Sequence, residues 1–313
     1  MWFNNLVVYQ FNAPFMQNID ELEQALEEYR LKPCPPHARQ SQGWTAPLDK
    51  VPSRVYNLCD CYLLVAAKEV RLLPNSIIQT VLEEKLNAFE LNHNRPMRRA
   101  ERLQLKEELE FDLLPKAFTL QKKDWFYIDT VKKWLVINSA NLNKAAEIVA
   151  LLTKTLGSLD AAPITMESDL SALFANWLQA PSSSLPEGLE LGENCLLVTS
   201  GDDKSQYTCK DIEENREEIV ALLAQEYIVA SVELIWQERI KFVLTNEFLL
   251  KRLKCLACLD EEFKDNNKLD QDQAQFTANF LLLVGELRKL LIFLINLLES
   301  PKFSVSCAQE LIV

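Results

Sequence analysis

The chain has 313 residues, of which 48% are hydrophobic and 25% are charged, and this composition excludes wholesale disorder. A formal net charge of −12 argues, as a whole-chain average, against the usual basic nucleic-acid-binding protein. Only 6 Gly and 2 His residues leave little material for Gly-rich phosphate loops or for sites built on histidine. The length suffices for two or three domains, each with its own core.

The N-terminal part alternates strand and helix patterns. Its first residues carry no basic region and no small-residue cleavage site, so they predict a strand and not a signal peptide, and we expect a cytoplasmic protein. Prolines at positions 74 and 96 delimit two further helices. The predicted elements in chain order are a strand at 5–11, an acidic amphipathic helix at 19–30, a buried strand at 61–67, a helix after Pro74 and a helix at 97–112.

The pattern changes to strands after Pro115. Two runs rich in aromatic and β-branched residues, 125–129 and 134–138, are separated by the four residues 130–133, which predicts a hairpin. Apolar residues with 3-4-3-4 spacing then predict an amphipathic helix at 142–156.

The C-terminal half begins with a polar segment rich in Pro and Ser, 180–193, which predicts a loop. The elements predicted after it are a strand at 195–199, an acidic helix at 211–225 and strands at 227–236, 239–245 and 248–254. The last helix carries an apolar seam with heptad spacing, formed by Phe276, Phe280, Leu283, Leu287, Leu290, Leu294 and Leu297. We interpret this seam as the face of a terminal helix that packs on its own domain, with a coiled-coil contact to a partner as the alternative.

These patterns place the chain in the α+β class, with mixed or antiparallel sheets flanked by helices. We expect a central α/β region formed by 1–75 and 115–165, a helical arm at 76–114, and a C-terminal α+β region at 166–313 that ends in a long helix. The most apolar stretch, 280–298, contains three charged residues, so we expect no membrane span.

Eight cysteines are scattered through the chain, and we interpret them as reduced thiols because no secretion signal precedes them. Cys255 and Cys258 form one Cys-x-x-Cys pair. A zinc site would need a second pair, and neither His37 nor His93 is close in sequence. We therefore predict buried thiols here and no metal site.

The sequence contains no motif for nucleotide phosphates, zinc peptidases or serine hydrolases. Acidic pairs such as Glu213-Glu214 are typical of solvated helix faces, and nothing marks one pair as buried, which acid–base chemistry requires. The residues therefore give no positive support for an enzyme, a cofactor or a small-molecule substrate. A nuclease that gathers carboxylates around a metal ion in three dimensions stays open as an alternative.

Charge is segregated along the chain. The segment from Lys85 to Lys106 holds six basic and two acidic residues, a local charge of +4. If helical geometry continues around Pro96, the spacing of Arg95, Arg99, Arg102 and Lys106 places them on one face. Such a stripe can grip phosphates without reading bases, although the spacing alone favours an ordinary solvated face. Further lysines near the predicted hairpin are Lys116, Lys122, Lys123, Lys132 and Lys133.

An apolar segment, Leu113-Leu114-Pro115-Lys116-Ala117-Phe118, lies between the basic helix and the hairpin. It is either a turn in the core or an exposed anchor for a partner, with Phe118 as the plug. The pattern alone favours the core turn.

Short sequence elements of one known family recur in order, nearly end to end. They are Trp2-Phe3-x-Asn5-Leu6 with Tyr9, Pro33-Cys34, Gly43-Trp44, Leu73-Pro74, Leu113-Leu114-Pro115-Lys116-Ala117-Phe118, Trp125-x-x-Ile128-Asp129-Thr130, Leu156-Gly157-Ser158-Leu159, Trp236-x-x-Arg239-Ile240-x-Phe242-Val243, Leu250-Lys251-Arg252-Leu253-Lys254 and Gly285-Glu286-Leu287. Together they resemble the RdgC family of bacterial recombination-associated proteins. The resemblance implies an elongated subunit that pairs into a ring-shaped homodimer, whose positive hole admits double-stranded DNA of any sequence. It also implies nucleoid association, restraint of the RecA recombinase through occupation of DNA, and no catalytic activity.

Residue by residue, the resemblance implies that Phe118 plugs a pocket on the partner subunit, with Leu114 and Pro115 beside it in the dimer interface. Phe118 is then an interface anchor, contrary to what the pattern alone favours.

The resemblance likewise turns the arginine stripe into a phosphate-facing surface. Arg95 matches a position that lines the hole and Lys210 a DNA-facing position, while Cys209 departs from the basic character that the family has beside it. The predicted DNA contacts are Arg95, Arg98, Arg99, Arg102, Lys116, Lys132 and Lys210. Two alternatives stay open: the metal-dependent nuclease, and an acidic protein–protein adaptor that does not bind DNA.

Overall fold

A computed structural model of the chain describes residues 3–15, 18–48, 51–179, 185–199, 205–225, 227–256, 259, 261–262 and 272–299. The fold within these ranges is α+β and consists of helices and two antiparallel sheets, as the sequence predicts. Cys258, half of the Cys-x-x-Cys pair, and residues 180–184 of the predicted loop lie outside the described residues.

The N-terminal sheet has seven strands in the order β2-β4-β5-β6-β1-β7, with β3 paired to the start of β4. Its strands are β1 (Val7–Phe11), β2 (Gln40–Thr45), β3 (Tyr56–Leu58), β4 (Cys61–Arg71), β5 (Thr119–Asp129), β6 (Trp134–Ile137) and β7 (Ala161–Pro163). The helices of this part are α1 (Ile19–Glu28), α2 (Asn75–His93), α3 (Arg99–Leu113) and α4 (Leu142–Leu156). The predicted hairpin is confirmed, because β5 and β6 are antiparallel neighbours joined by a tight turn.

The central strands of this sheet are buried on both faces, which explains why they appear as continuous apolar runs in the sequence. Alternate side chains point to opposite faces of a strand. Phe126 and Ile137 therefore pack in a core with α1 and α4, whereas Tyr127 and Val136 belong to a second core on the other face.

The second core is shared with the C-terminal sheet, whose five strands have the order β12-β11-β10-β8-β9. These strands are β8 (Leu189–Thr199), β9 (Gln206–Lys210), β10 (Tyr227–Trp236), β11 (Ile240–Thr245) and β12 (Leu250–Cys255). The helices are α5 (Leu170–Gln179), α6 (Arg216–Leu223) and α7 (Asp272–Glu299). The loop prediction is wrong from residue 189 onward, because Leu189 is buried where it pairs with Trp236 and β8 already begins there.

Helix α7 packs on its own subunit. Phe280, Leu283, Leu287, Leu290 and Leu294 of the heptad seam are buried in the second core, which confirms the first interpretation of the seam. The seam is consequently covered within the chain and does not offer a coiled-coil face.

The charged residues inside α7 are used in ion pairs. Buried Glu286 accepts hydrogen bonds from Arg239 Nε at 3.0 Å and from Lys289 Nζ at 2.9 Å. Arg288 Nε donates to the buried carboxylate of Asp129 at 2.7 Å, which ties α7 to the end of β5. Among the described helices, none is both long and apolar enough to cross a membrane.

Candidate nucleic-acid interface

Helices α2 and α3 form an arm that is inserted between β4 and β5. Helix α2 has 19 residues and is thus about 28 Å long at the rise of an α-helix. It ends where Asn94 adopts a left-handed conformation, with φ of 52°, and α3 begins only at Arg99. The connection together with the first turn of α3, residues 94–102, is here called the arm tip and contains most of the predicted DNA contacts.

The predicted four-residue stripe is wrong for Arg95. Helical geometry does not continue around Pro96, because a proline disfavours the helical conformation in the residue before it and has no N–H to donate. Arg95 therefore lies in the connection between the helices. The stripe on α3 is limited to Arg99, Arg102 and Lys106, which keep helical spacing.

Arg95 instead closes the arm tip. Its Nη1 and Nη2 atoms each donate to the carboxylate of Glu101 at 3.0 Å, and the guanidinium stands 5.0 Å from the ring centroid of Phe89. The same carboxylate accepts the backbone N–H of Arg98 at 2.8 Å, which caps the start of α3. The Arg95 hydrogen bonds, followed by the bond from the Arg98 amide, lower the pKa of Glu101 to about 2.

Three exposed arginines, Arg98, Arg99 and Arg102, stand at the N-terminal end of α3. The unpaired N–H groups of a helix N-terminus carry partial positive charge, which adds to the charge of the side chains. Within the described ranges, neither Arg99 nor Arg102 forms an ion pair. The arm tip thus presents guanidinium groups to solvent in a form that can neutralise phosphates.

The apolar segment, residues 113–118, forms the base of the arm. A short 3-10 helix, Leu114–Lys116, follows α3 directly, and the chain then enters β5. Phe118 is 85% exposed, so the interpretation as a core turn is wrong for this residue. The side chain of Leu114 is buried within the subunit, and among the three predicted interface residues only Pro115 and Phe118 are exposed.

Phe118 stands in an apolar patch, which we define as Leu72, Phe118 and Leu120. Leu72 donates its backbone N–H to the Phe118 carbonyl at 2.7 Å, and Leu120 pairs with Val70 two residues along the strands. Side chains two residues apart share one face of a sheet, so the register of β4 and β5, continued by one residue, places these three residues on the same face. Leu72 is 48% exposed and Leu120 is 44% exposed.

The remaining predicted contacts occupy other places. Lys116 is exposed at the end of the 3-10 helix, and Lys210 is exposed at the end of β9 opposite Asn194. Lys132 lies in the β5–β6 turn, where its backbone N–H donates to Asp129 Oδ1 at 2.9 Å. The structure therefore distributes the predicted cations over the arm tip, the arm base, the hairpin turn and the edge of the C-terminal sheet.

Sequence reasoning missed several residues that shape these surfaces. Leu72 and Leu120 carry no sequence signal, because their exposure depends on where the arm leaves the sheet. Glu101 does carry a sequence signal, because a glutamate three residues after a helix N-cap position is typical of a capping box.

Other parts of the described chain offer less defined sites. A cavity of about 390 Å³ on the C-terminal sheet is lined by polar residues such as Asn194 and Ser231 and by Lys251 and Arg252. No group of three or more His, Cys, Asp or Glu residues within the described ranges is arranged to hold a metal ion.

Comparison with known proteins gives a consistent result. The family model described as "Putative exonuclease, RdgC" matches residues 1–300. The chain is 33% identical over 292 residues to the recombination-associated protein RdgC of Psychromonas ingrahamii, covering 93% of this chain and 96% of that relative. It is 34% identical to the protein of the same name from Pseudoalteromonas translucida, covering 93% and 95% of the two chains. The relative from Yersinia pestis is 30% identical over 299 residues, covering 95% and 98%.

Proposed function

This chain belongs to the RdgC family of recombination-associated proteins, and from that premise we propose that it binds double-stranded DNA without sequence preference, as a homodimer closed into a ring. It acts by occupying DNA and thereby restrains RecA-mediated recombination, without catalysis, in association with the nucleoid. Neither base readout nor a cofactor is needed for this function.

One feature supports this proposal most: the two ends of the arm carry two chemically different exposed surfaces. The arm tip presents Arg98, Arg99 and Arg102, and the arm base presents Phe118 at 85% exposure. Cations suit a polyanion, and an exposed aromatic side chain on ordered backbone suits a protein partner. A protein that both pairs with itself and holds DNA needs these two kinds of surface.

The DNA contacts act through phosphate neutralisation. Arginine offers a planar fork of donors that matches phosphate oxygens, and contacts to phosphates carry no sequence information. Neutralising about five phosphates makes log K fall against log salt concentration with a slope of roughly −4 to −5.

The dimer contact follows from symmetry. In a two-fold dimer the same patch on each subunit meets its copy or a neighbouring surface. Phe118 is the strongest anchor candidate in the apolar patch, because buried aromatic residues dominate interface energies. Enclosure by such a ring is compatible with a net charge of −12, since only the surface that faces DNA has to be basic.

A salt-titrated binding assay on linear and circular duplexes of the same length tests this function. We expect equal affinity for unrelated sequences, a steep salt dependence, and longer residence on the circle, since a closed ring leaves linear DNA only by its ends. A salt slope near zero would falsify the phosphate mechanism. Equal residence on both forms would contradict the ring, and no shift of any duplex would favour the adaptor alternative.

The description of the family model names a second candidate, an exonuclease. Incubation of end-labelled linear duplex and of plasmid with Mg²⁺ or Mn²⁺ decides this point. Progressive loss of the end label that depends on the metal would establish the nuclease, whereas intact DNA at protein concentrations that saturate binding would remove it.

A further inference from the structure

The guanidinium group of Arg71, the last residue of β4, joins two segments that are distant in sequence. Nη2 donates to the Cys34 carbonyl at 3.0 Å and Nε donates to the Pro35 carbonyl at 3.3 Å. On the other side, Nη1 lies within 3.2 to 3.3 Å of the carbonyl oxygens of Leu114, Pro115 and Ala117. One side chain thus contacts five backbone carbonyls, three of them in the four residues before Phe118.

The carbonyls on the Phe118 side lie at or just beyond the C-terminal end of α3, and that of Leu114 also accepts the backbone N–H of Ala117 at 3.2 Å. The last carbonyls of a helix have no partner within the helix, and a cation nearby is favoured by the helix dipole. The last turn of α3, Glu110–Leu113, contains two acids and no basic residue. Arg71 supplies the missing cation from the neighbouring strand, and it does so where α3 gives way to the 3-10 helix.

Two further contacts hold the same segments together. Arg39 forms a salt bridge with Glu110, and the ring of His37 stacks on Phe111 with centroids 3.9 Å apart. They fix the direction of α3 relative to the loop at 34–39. Of these three sets of contacts, only those of Arg71 reach the residues that immediately precede Phe118.

We infer that Arg71 is the positioning residue for the subunit contact: it fixes the backbone at Leu114–Ala117 and thereby the place where Phe118 stands. The inference rests on the proposed dimer. A gap of about 0.5 to 1 Å already removes roughly a quarter to a half of the dispersion attraction between apolar atoms, so an anchor requires fixed backbone behind it. Arginine spreads its donors over three nitrogens in one plane and so reaches acceptors on two sides, whereas lysine offers all its donors from a single nitrogen.

The test is a double-mutant cycle on the full-length protein, with the dimer Kd measured by sedimentation equilibrium. We expect Arg71→Ala to weaken the dimer about tenfold, and Phe118→Ala to weaken it more. In the Phe118→Ala background, Arg71→Ala should add less than about twofold, because the two residues act as one unit. Arg71→Lys should lie between Arg71→Ala and the wild type.

Hydrogen exchange supplies the second measurement. In Arg71→Ala, exchange should become faster at the amides of Leu72 and Ala117, whose acceptors are the Phe118 and Leu114 carbonyls, while the β5–β6 amides stay protected. Arg30→Ala is the matched control, because Arg30 is an exposed arginine that forms a salt bridge with nearby Glu27. It should change neither the dimer Kd nor these amides.

Each result has one meaning. An unchanged dimer Kd in Arg71→Ala, or effects of Arg71→Ala and Phe118→Ala that multiply fully, overturns the inference while the dimer stands. If Arg71→Ala loses protection throughout the chain, Arg71→Lys takes its place in the cycle under the same criteria. A wild-type chain that is monomeric at every concentration contradicts the proposed dimer itself, and the inference falls with it.

Discussion

The two ends of the α2–α3 arm are built on opposite principles. At the tip, the side chains that matter are exposed and charged, and the turn is held by a surface ion pair between Arg95 and Glu101. At the base, Leu109 and Leu114 are buried, Arg71 binds backbone carbonyls, and the apolar side chain of Phe118 projects into solvent.

This difference matches the range of the forces involved. Attraction between charges falls slowly with distance, so guanidinium groups at the tip can attract phosphates without an exact position. Dispersion and apolar burial act only in contact, so an anchor at the base must be held by buried structure. We therefore expect that small displacements of the backbone have little effect on binding by the arm tip and a large effect on binding by the arm base.

The largest expected effect is at the base. Phe118→Ala should weaken the dimer by about 2 kcal/mol or more, a factor of about 30, because it removes an aromatic anchor. The melting temperature should hardly change, since the side chain is exposed in the subunit. Sedimentation equilibrium and thermal melting check this.

Leu91→Ala is the matched control, because Leu91 is 82% exposed on α2. It should leave the dimer unchanged. A Phe118→Ala chain that melts cooperatively at a much lower temperature would show that this side chain is part of the core after all.

The next effect is at the tip. Joint replacement of Arg98, Arg99 and Arg102 by Ala should lower DNA affinity and reduce the salt slope by about one for each phosphate that is no longer neutralised. The reduction in affinity should be equal on unrelated sequences, as gel shifts at several salt concentrations will show. A reduction confined to one sequence would instead indicate base readout, and an unchanged slope would place the DNA-binding cations elsewhere.

A smaller effect distinguishes attraction from geometry at the tip. Glu101→Gln removes a negative charge and releases Arg95, so we expect DNA to bind about two- to threefold more tightly at low salt, with a slope steeper by up to about one. Weaker binding by this variant would mean that the ion pair is needed to hold the tip, and the contrast between tip and base would then disappear.

The smallest effect on the arm tip and the arm base should come from mild acid. The carboxylate concerned, Glu286, lies on α7 and not on the arm. Burial raises the pKa of Glu286, but the hydrogen bonds from Lys289 and Arg239 and their charges outweigh burial, and the pKa is lowered. A carboxylate with a lowered pKa contributes stability above its unfolded pKa, and this contribution is lost as the pH falls through the lower, folded pKa. We expect the free energy of unfolding to decrease below about pH 4.

Denaturant titrations at several pH values measure this dependence. In Glu286→Gln the free energy of unfolding should decrease less as the pH falls. A variant with the wild-type slope would assign the acid sensitivity to other carboxylates. Above about pH 5 neither the dimer Kd nor DNA binding should follow the titration of Glu286, because its partners, Arg239 and Lys289, lie beside β11 and on α7, not on the arm.

Much of the architecture could be predicted from local pattern. The apolar runs of β5 and β6, the periodic helix at 142–156 and the heptad seam of α7 all appear in the structure, because burial on a fixed face imposes a period on the chain. Prolines marked the ends of α2 and the end of α3 for a covalent reason, the fixed φ and the missing N–H. Local charge also indicated a basic segment, Lys85 to Lys106, within an acidic chain.

The sequence by itself determined which side chains were available: arginines clustered around Pro96 and a phenylalanine, Phe118, at the end of an apolar segment that contains proline. Only the tertiary structure decided how they are used. Arg95 and Glu101 meet across the non-helical connection around Pro96, and the guanidinium of Arg71, more than forty residues earlier in the chain, contacts the backbone between buried Leu114 and exposed Phe118. The Arg71 contacts join residues far apart in the chain, and no local period or spacing encodes them.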